Sequence, residues 1–512
     1  MLLVFYLLLR MQLTFLTKII ALLLHPEDER SSKSHHSKSL SHNDLAALLL
    51  KLLRRDYAGV CYGFTLNWAL AVAEGNEALF YRKLHLLGLH HFDLPQVLDR
   101  IAHKKRIGDS ISEEELLISS LPELCLKISK AQDPESYIID YGKRVKQPDV
   151  DAIINRIRGK HSTVKRVFYK TCAFNGRQEM MDYITRLVHC GLSENTAVLI
   201  NTIGHSMGFK RLGRRWQFMD INQLYEQDTQ NPYFELDTCQ LVDEFFQASS
   251  QYLTGNRVAF SLDFIGSDSS SGLTVQLSTS VPPLFPFRHK WSFEQRVYFL
   301  GLAVFQGDMY AVHQCLRLKW PVLAKKYLTS NCPIAIALQL NRYNIFKMML
   351  PLIAHRINTV IACNKVTLLH LACEYSGFAI MEDLLRIKGI AINSVDSKGR
   401  TPLMYACRAS NTTYYHAVFR LLLAHGASVT LRDRKGLNAL DHAYKNNHHL
   451  AIKLLEKKTN TRALSLCAPI QKPSSVSQSE VYFFKKNAVN PVSMHYSGNQ
   501  DEIQSSVSMQ HT

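Results

Sequence analysis

The 512-residue sequence has no pair of cysteines at CxxC spacing, although it contains 11 cysteines. Zinc ribbons and disulfide frameworks both need regularly spaced cysteines, so this scattered, odd-numbered set predicts neither. Free thiols are instead typical of proteins in a reducing compartment. We therefore expect reduced cysteines and no metal site built from them.

Acidic residues are also fewer than basic ones. The chain has 60 Lys and Arg against 43 Asp and Glu, which gives a formal net charge of +17. This charge favours an acidic partner, an anionic membrane or nucleic acid, or it only aids solubility. The basic runs at 103–106, 142–146 and 211–215 are short, and no nucleic-acid-binding motif surrounds them. Solvated surface is the expected role of these runs, and nucleic acid as a direct ligand is the minor alternative.

The N-terminal segment has no uncharged apolar run long enough to cross a bilayer. Arg10 and Lys18 divide it into pieces shorter than the roughly 18 residues that a spanning helix requires. It also lacks the basic region and the cleavage site of a signal peptide. We expect residues 12–25 to form an apolar helix packed on the protein, with a helix on a membrane surface as the alternative. The Ser/His-rich residues 25–44 lack a second ligand cluster, which favours a solvated linker over a metal site.

The overall composition is that of a globular protein, with 46% hydrophobic and 20% charged residues. Residues 76–200 have a largely helical pattern. After residue 196, two strands joined by the turn RLGRR are predicted, and 256–266 reads as a further strand. Ser, Gly and Pro mark a boundary near 270–290. This part of the chain is therefore predicted to be an α+β domain.

Beyond that boundary the sequence repeats with a period close to that of ankyrin repeats. A column of small residues recurs at steps of 34, 35, 34 and 37 residues, at Ala303, Ala337, Ala372, Ala406 and Ala443. A turn and two antiparallel helices form each such unit, and alanine packs where the helices cross. Residues 291–460 are therefore predicted to be an all-α solenoid of four or five repeats that binds a partner protein.

Two features outside the repeat core suggest regulation and export. Asn393, in the loop GIAINSVDSKGR, occupies the position that host asparaginyl hydroxylases modify in related ankyrin repeats. It is a candidate modified residue, although a structural role in bracing the turn is favoured. The Ser/Gln/Asn-rich tail from 461 is predicted to be disordered. The end of the tail resembles the C-terminal export signals of bacterial type IV secreted effectors.

The stretch GVCYGFTLNW places Cys61 between Gly59 and Gly63 at the start of a predicted helix. The glycines would let the backbone approach a substrate closely, and the helix dipole would stabilise a thiolate. His205 lies in GHSMGF at the edge of one predicted strand, and Asp220 lies in WQFMDIN at the end of the next. A hairpin would bring these two residues face to face. We expect Asp220 to hold the His205 tautomer while His205 pairs with Cys61.

These three boxes resemble the Cys, His and Asp boxes of the YopT/AvrPphB family of papain-like effector proteases. Joined to ankyrin repeats, they are similar in architecture to the AnkH-type effectors that intracellular bacteria deliver into host cells. The resemblance implies an α+β papain-like cysteine protease domain followed by an all-α ankyrin-repeat solenoid. It also implies Cys61 as nucleophile, His205 as base and Asp220 as its orienting partner, with no cofactor and no metal. The 144 residues from Cys61 to His205 imply a helical insertion within 85–170.

The resemblance also implies a function. The chain would be an effector secreted into the host cytoplasm, with the nucleus as a second compartment. A cysteine protease or a related acyl-transfer enzyme would be directed by the repeats to a host protein. The alternative is a non-catalytic adaptor with a pseudoprotease domain. The expected domains are an N-terminal helix and linker (1–45), the protease-like domain (46–290), the repeats (291–460) and the tail (461–512).

One residue departs from the family pattern. Papain-like enzymes stabilise the oxyanion with the cysteine backbone N–H and an amide side chain just upstream. Here the upstream stretch LLRRDYAGV contains Asp56 and no Asn or Gln. A carboxylate cannot donate a hydrogen bond unless it is protonated. The predicted oxyanion region is therefore Asp56 and Cys61, and Asp56→Asn is expected to raise the rate.

Overall fold

The computed structural model describes residues 40–460 apart from several short stretches, which are 58, 143–144, 203, 227–231, 250–256, 268–270, 281–290, 324–331, 361–363, 376 and 410–414. The predicted apolar N-terminal helix and the predicted export tail lie outside the described residues. So do Cys363 and Cys467. The nine cysteines that are described are all free thiols.

The described chain contains helices in both halves and strands only in the first. The helices are α1 (His42–Leu53), α2 (Cys61–Ala73), α3 (Glu77–His90), α4 (Leu94–Ile107), α5 (Glu113–Ser119), α6 (Leu121–Gln132), α7 (Ile138–Tyr141), α8 (Val150–Ile157), α9 (Arg177–His189), α10 (Thr238–Ser249), α11 (Ser271–Ser280), α12 (Phe293–Gln306), α13 (Met309–Arg317), α14 (Pro333–Gln339), α15 (Tyr343–Ile353), α16 (Leu368–Tyr375), α17 (Phe378–Leu385), α18 (Pro402–Ala406), α19 (Tyr415–Ala424), α20 (Ala439–Lys445) and α21 (His449–Asn460). The strands are β1 (Lys165–Phe174), β2 (Ala197–Asn201), β3 (Ser206–Leu212), β4 (Arg215–Met219), β5 (Phe234–Leu236) and β6 (Val258–Gly266).

Among the described residues, the six strands form one antiparallel sheet in the order β1-β6-β2-β3-β4-β5. The central strands β2 and β6 are buried along their whole length because helices cover both faces of the sheet. Successive residues of β2 alternate between those faces. Ala197 and Leu199 join the cluster around α2, while Val198 and Ile200 join the opposite cluster. This period of two is the expected strand geometry.

The sequence prediction for this region needs two corrections. β1 lies inside residues 76–200, which were predicted to be largely helical, and its KRVFYKTCAF pairs with β6 from Lys165 to Phe174. β-branched and aromatic residues favour such a strand once a partner strand is available. In addition, three strands rather than two lie between 196 and 220, since β2 precedes the hairpin of β3 and β4.

Helix α2 is the central helix of the α+β region. It packs against β2, β3 and β6 on one side and against α6 on the other, which explains why it is apolar on all sides. The helix α2 approaches both α6 and the sheet closely, and a glycine lies at each contact. A Cβ added at Gly63 would lie 2.2 Å from the carbonyl oxygen of Ile128 in α6. A Cβ at Gly208 of β3 would lie 2.3 Å from the buried ring of Trp68. Gly63 therefore serves helix packing, in contrast to the predicted approach to a substrate.

In the second half of the described chain, consecutive helices pack in pairs, and these pairs stack in series. The first helices α12, α14, α16 and α18 contact one another in that order, and α18 contacts α20. The predicted alanine column lies at these crossings, where all of its members are fully buried: Ala303, Ala337, Ala372, Ala406 and Ala443. Asp396 and Asp433 brace equivalent turns by accepting backbone N–H groups two and four residues further on.

The helix stack is joined to the sheet through α12. This helix packs against β1 and β6, and one apolar cluster includes Ala173 and Ala259 of those strands together with the core of the helix pairs. The sheet region and the helix pairs belong to one compact unit that ends at Lys458. The first helix pair is therefore packed directly on the sheet.

Candidate functional site

Cys61 is the first residue of α2, where the N–H groups of a helix are not used by its own carbonyls. The positive end of the helix dipole favours a thiolate at this position. The side chain is half-buried, and Gly59 and Tyr62 beside it line the same cavity. Of the two glycines that flank the cysteine, Gly59 therefore borders the site, whereas Gly63 is used for helix packing.

His205 and Asp220 are held together by the hairpin of β3 and β4. His205 directly precedes β3 and Asp220 directly follows β4, as predicted. His205 Nε2 lies 2.9 Å from Asp220 Oδ2, and both side chains are largely buried. Asp220 Oδ1 accepts the backbone N–H of Asn222, which fixes the carboxylate. Since Nε2 faces Asp220, Nδ1 is the ring nitrogen that can exchange a proton with Cys61, and the side-chain amide nitrogen of Asn222 lies 3.5 Å from it.

The Cys61 thiol and the His205 imidazole shift each other's pKa in opposite directions. Burial would raise the pKa of Cys61, but hydrogen bonds from His205 and His42 outweigh it and lower the pKa to about 6. Burial would lower the pKa of His205, but hydrogen bonds with Asp220 and Cys61 raise it to about 10. Between these two values the pair is a thiolate and an imidazolium. This is the state that a cysteine nucleophile requires.

His42 is a second imidazole at the cysteine, and it is not among the site residues predicted from the sequence. It lies at the start of α1, inside the Ser/His-rich segment that was predicted to be a linker. The backbone N–H of Val60 donates to His42 Nε2 at 3.1 Å, which requires an unprotonated Nε2. The hydrogen bond with Cys61 raises the pKa of His42 and so favours the protonated ring. The two contacts compete, and the backbone geometry assigns the neutral ring with its proton on Nδ1.

A cavity of about 520 Å³ opens beside Cys61 and His205. This volume is within the range of roughly 300–1,000 Å³ typical of ligand pockets. Asp56, the predicted oxyanion residue, is exposed and is not among the described residues that line the cavity. The structure therefore brings Cys61, His205 and Asp220 together and leaves Asp56 outside. Gln132 and Gln147 do line the cavity.

The remaining residues singled out in the sequence have structural contacts. Trp68 and Trp216 are buried, as expected for core residues, and donate to Tyr81 and to Thr238 respectively. Asn393 is exposed, and its amide bonds the carbonyl of Gly426 and the N–H of Ser428 in the next unit.

Asn358 makes the same pair of bonds one unit earlier, to the carbonyl of Gly389 and the N–H of Ala391. The recurrence of this contact supports the bracing role of Asn393.

Comparison with known proteins identifies the repeats. Residues 369–463 match the family of ankyrin repeats, in 3 copies. The chain therefore contains ankyrin repeats, which generally mediate protein–protein binding. Transient receptor potential cation channel subfamily A member 1 of Drosophila melanogaster is 27% identical over 154 residues. The similar segment is 30% of this chain and only 12% of that channel protein.

Two further findings concern the described residues only. None of the helices in the described ranges is long and apolar enough to cross a membrane. The same ranges contain no group of three His, Cys, Asp or Glu side chains arranged to hold a metal ion.

Proposed function

We propose that the α+β region is a papain-like cysteine hydrolase that cleaves an amide or a related acyl bond in a protein. The observation that carries this proposal is the arrangement of Cys61, His205 and Asp220 beside a cavity. A nucleophile, a base within reach and a residue that orients the base are the parts such chemistry needs. The position of the nucleophile at the start of a helix that packs on an antiparallel sheet supports the papain-like assignment.

The geometry supports a two-step reaction. The Cys61 thiolate attacks the carbonyl carbon, a C–S bond forms, and the C=O electron pair moves to the oxygen. The intermediate collapses, the C–N bond breaks, and the leaving amine takes the proton from His205 Nδ1. Water then attacks the thioester while His205 removes its proton. Collapse of the second intermediate releases the carboxylic acid and regenerates the thiolate. Asp220 holds His205 in the required orientation throughout.

The ankyrin repeats would choose the protein that is cleaved. Exposed apolar side chains lie in successive inter-helix loops, at Val360, Val395 and Leu431. Exposed apolar groups that recur along one edge of a repeat stack are suited to contact a partner protein. The resemblance to secreted effectors supports a host protein as this partner and the host cell, cytoplasm or nucleus, as the place of action.

A thiol-reactive peptide probe tests the enzyme. A dileucine vinyl sulfone is incubated with the purified chain, and the modified cysteine is identified by mass spectrometry. We expect modification of Cys61 and none of Cys239, which is the exposed cysteine on α10. Equal labelling of both residues would contradict an activated nucleophile.

A comparison of protein N-termini in a host-cell lysate tests the substrate choice. New N-termini should appear with the unaltered chain and be absent with Cys61→Ala. The double variant Val395→Asp/Leu431→Asp should label normally with the probe yet generate fewer of these N-termini. Undiminished cleavage by the double variant would remove the repeats from substrate selection.

The second candidate function is a binding adaptor with an inactive protease-like region. The observation in its favour is that no Asn or Gln precedes Cys61 in its own loop, which leaves the upstream oxyanion donor unassigned. Under this alternative Cys61 would not react with the probe, and the Cys61→Ala chain would bind the same partner as the unaltered chain.

A further inference from the structure

The inference concerns the cavity at Cys61 and rests on the proposed function. One wall of this cavity is not built by the sheet region. It comes from the first two helix pairs, which precede the matched ankyrin repeats at 369–463. Helix α12 and the C-terminal end of α14 contribute the lining residues, which are Gly301, Phe305, Gln306, Ile336, Gln339 and Leu340.

Polar contacts fix this wall to the catalytic region. The amide of Gln306 donates to the buried carboxylate of Asp263 in β6 at 2.5 Å. Asp308, which caps α13, accepts the backbone N–H of Thr171 in β1 at 3.0 Å. Arg342 pairs with Asp149 across the same junction at 3.2 Å. These contacts hold the helix pairs in one position relative to Cys61.

The cavity lining offers a ligand few charged groups. Among the described residues that line the cavity, Asp263 is the one with a carboxylate. Asp263 is fully buried, and its oxygens already accept from Arg166, Asn201 and Gln306. A cationic ligand group would have to displace Arg166, and an anionic one would meet a carboxylate. Desolvating a charge without a partner is costly, so both are disfavoured.

The apolar lining comes from both sides. Tyr62 and Val150 belong to the sheet region, while Phe305, Ile336 and Leu340 belong to the helix pairs. The geometry points to a shared specificity pocket, in which the first two helix pairs select an uncharged, apolar side chain on the acyl side of the bond that Cys61 attacks. These two helix pairs are thus part of the substrate site, in addition to any role of the later repeats in binding a partner.

The test compares two reagents on the full chain. Iodoacetamide reports the reactivity of Cys61 itself. A dileucine vinyl sulfone reports filling of the cavity, because its two leucines must be seated before the thiolate adds to the vinyl carbon. In that addition a C–S bond forms, the C=C electron pair shifts to the carbon beside the sulfone, and this carbon takes up a proton. We expect dilysine and diaspartate analogues to react at least about tenfold more slowly than the dileucine probe.

Gln339→Trp places an indole in the cavity from the wall of the helix pairs. We expect the ratio of the dileucine rate to the iodoacetamide rate to fall at least about tenfold. The matched control is Arg408→Trp, at the equivalent position two units further on and away from the cavity. This control should leave the ratio unchanged. An unchanged ratio in Gln339→Trp would overturn the inference.

Leu340→Ala enlarges the cavity at the same wall, where Gln339→Trp fills it. The expected result is a gain in rate, which a folding defect cannot imitate. The enlarged cavity should raise the rate of a ditryptophan vinyl sulfone relative to the dileucine probe by about tenfold. An unchanged preference would overturn the inference. If Cys61 of the unaltered chain reacts with iodoacetamide no faster than Cys239, the proposed function itself fails, and the pocket assignment fails with it.

Discussion

Two histidine–aspartate pairs in this protein make the same contact in different surroundings. His205 Nε2 lies 2.9 Å from Asp220 Oδ2, and His442 Nε2 lies 2.9 Å from Asp433 Oδ2, and all four side chains are largely buried. The first pair lies beside the Cys61 thiol and a cavity. The second pair fixes a turn of the last ankyrin repeat. The comparison shows that a buried His–Asp contact does not by itself identify a catalytic site, because the same contact also braces a turn.

The pKa shifts at the two pairs also differ, in His205 of the first pair and in Asp433 of the second. His205 has two partners that favour its charged form, and its pKa rises to about 10 despite burial. At the other pair, burial would raise the pKa of Asp433, but the N–H of Leu437 and the His442 ring outweigh it and lower the pKa. Asp433 is thus stabilised as a structural acceptor of backbone N–H groups, whereas Asp220 serves to keep a proton on its histidine.

The largest expected effect comes from replacing each of the two histidines, because one change should reduce activity and the other should reduce stability. We expect His205→Ala to lower kcat/KM for a dileucine amide substrate by about 10²–10⁴-fold, since a general acid–base is lost. His442→Ala should leave kcat/KM within about twofold, because distant sites act independently. It should instead lower the unfolding free energy by about 1–3 kcal/mol, since a buried carboxylate loses its partner. Steady-state kinetics and thermal unfolding measure these effects. Equal losses of activity in both variants would contradict the division.

The pH dependence of Cys61 alkylation should show the next largest effect. Because the pKa of Cys61 is lowered to about 6, the thiolate is present above this pH and is lost as the pH falls through it. In His205→Ala the apparent pKa should rise toward about 8.5, the value of an ordinary cysteine. Turnover by the unaltered chain should also fall above about 10, where His205 loses the proton that the leaving amine needs. Iodoacetamide rates with peptide mapping provide the measurement, with exposed Cys239 as the internal control. Identical apparent pKa values in the two chains would exclude coupling between Cys61 and His205.

His42→Ala should have a smaller effect of the same sign. The hydrogen bond from His205 contributes more to the Cys61 pKa than the one from His42. We therefore expect His42→Ala to raise the apparent pKa of Cys61 by less than about one unit. His42→Gln should restore much of the shift, because its amide can accept from Val60 and donate to Cys61. The alkylation assay measures both variants. A Cys61 pKa that does not respond to His42→Ala would make His42 a purely structural contact of Val60.

Asp56→Asn should have the smallest effect. The sequence predicts that this change raises the rate by at least about tenfold, because the new amide would supply an oxyanion donor. The exposed position of Asp56 outside the cavity leads us to expect kcat/KM within about twofold of the unaltered chain, as for other surface substitutions. Cys61→Ala serves as the inactive control. A tenfold rise would return Asp56 to the oxyanion region.

Local patterns allowed part of the site to be predicted. Cys61, His205 and Asp220 stand out because they lie at a predicted helix start and at the two ends of a predicted hairpin, in three boxes that resemble those of a protease family. His42 does not stand out, since it lies in a polar segment where histidine is ordinary, and only the folding of α1 beside the loop at Val60 makes it part of the site. The β-branched and aromatic residues of β1 favour a strand, but this short signal lies within the largely helical pattern of residues 76–200.

The cavity wall could not have been predicted in this way. Phe305 and Leu340 lie 244 and 279 positions after Cys61 along the chain, and no periodicity in a sequence reports how two distant regions pack. The repeat stack itself was predictable because each of its units contacts mainly its neighbours, so the alanine column carries the whole pattern. Its seating on β1 and β6 depends instead on unique contacts such as Gln306 with Asp263.

The order of the strands determines when the surroundings of Cys61 can form during synthesis. Among the described strands β6 is the last along the chain, yet it lies between β1 and β2 in the sheet. The hydroxyl of Thr65 in the Cys61 helix donates to the carbonyl of Ser206, 141 positions later. A ribosome that adds roughly 5–20 residues per second therefore releases Cys61 many seconds before its partners. The hydrogen bond with His205 contributes to the lowered pKa of the thiol, so this lowered pKa cannot arise until residue 205 has emerged and β3 packs against the Cys61 helix.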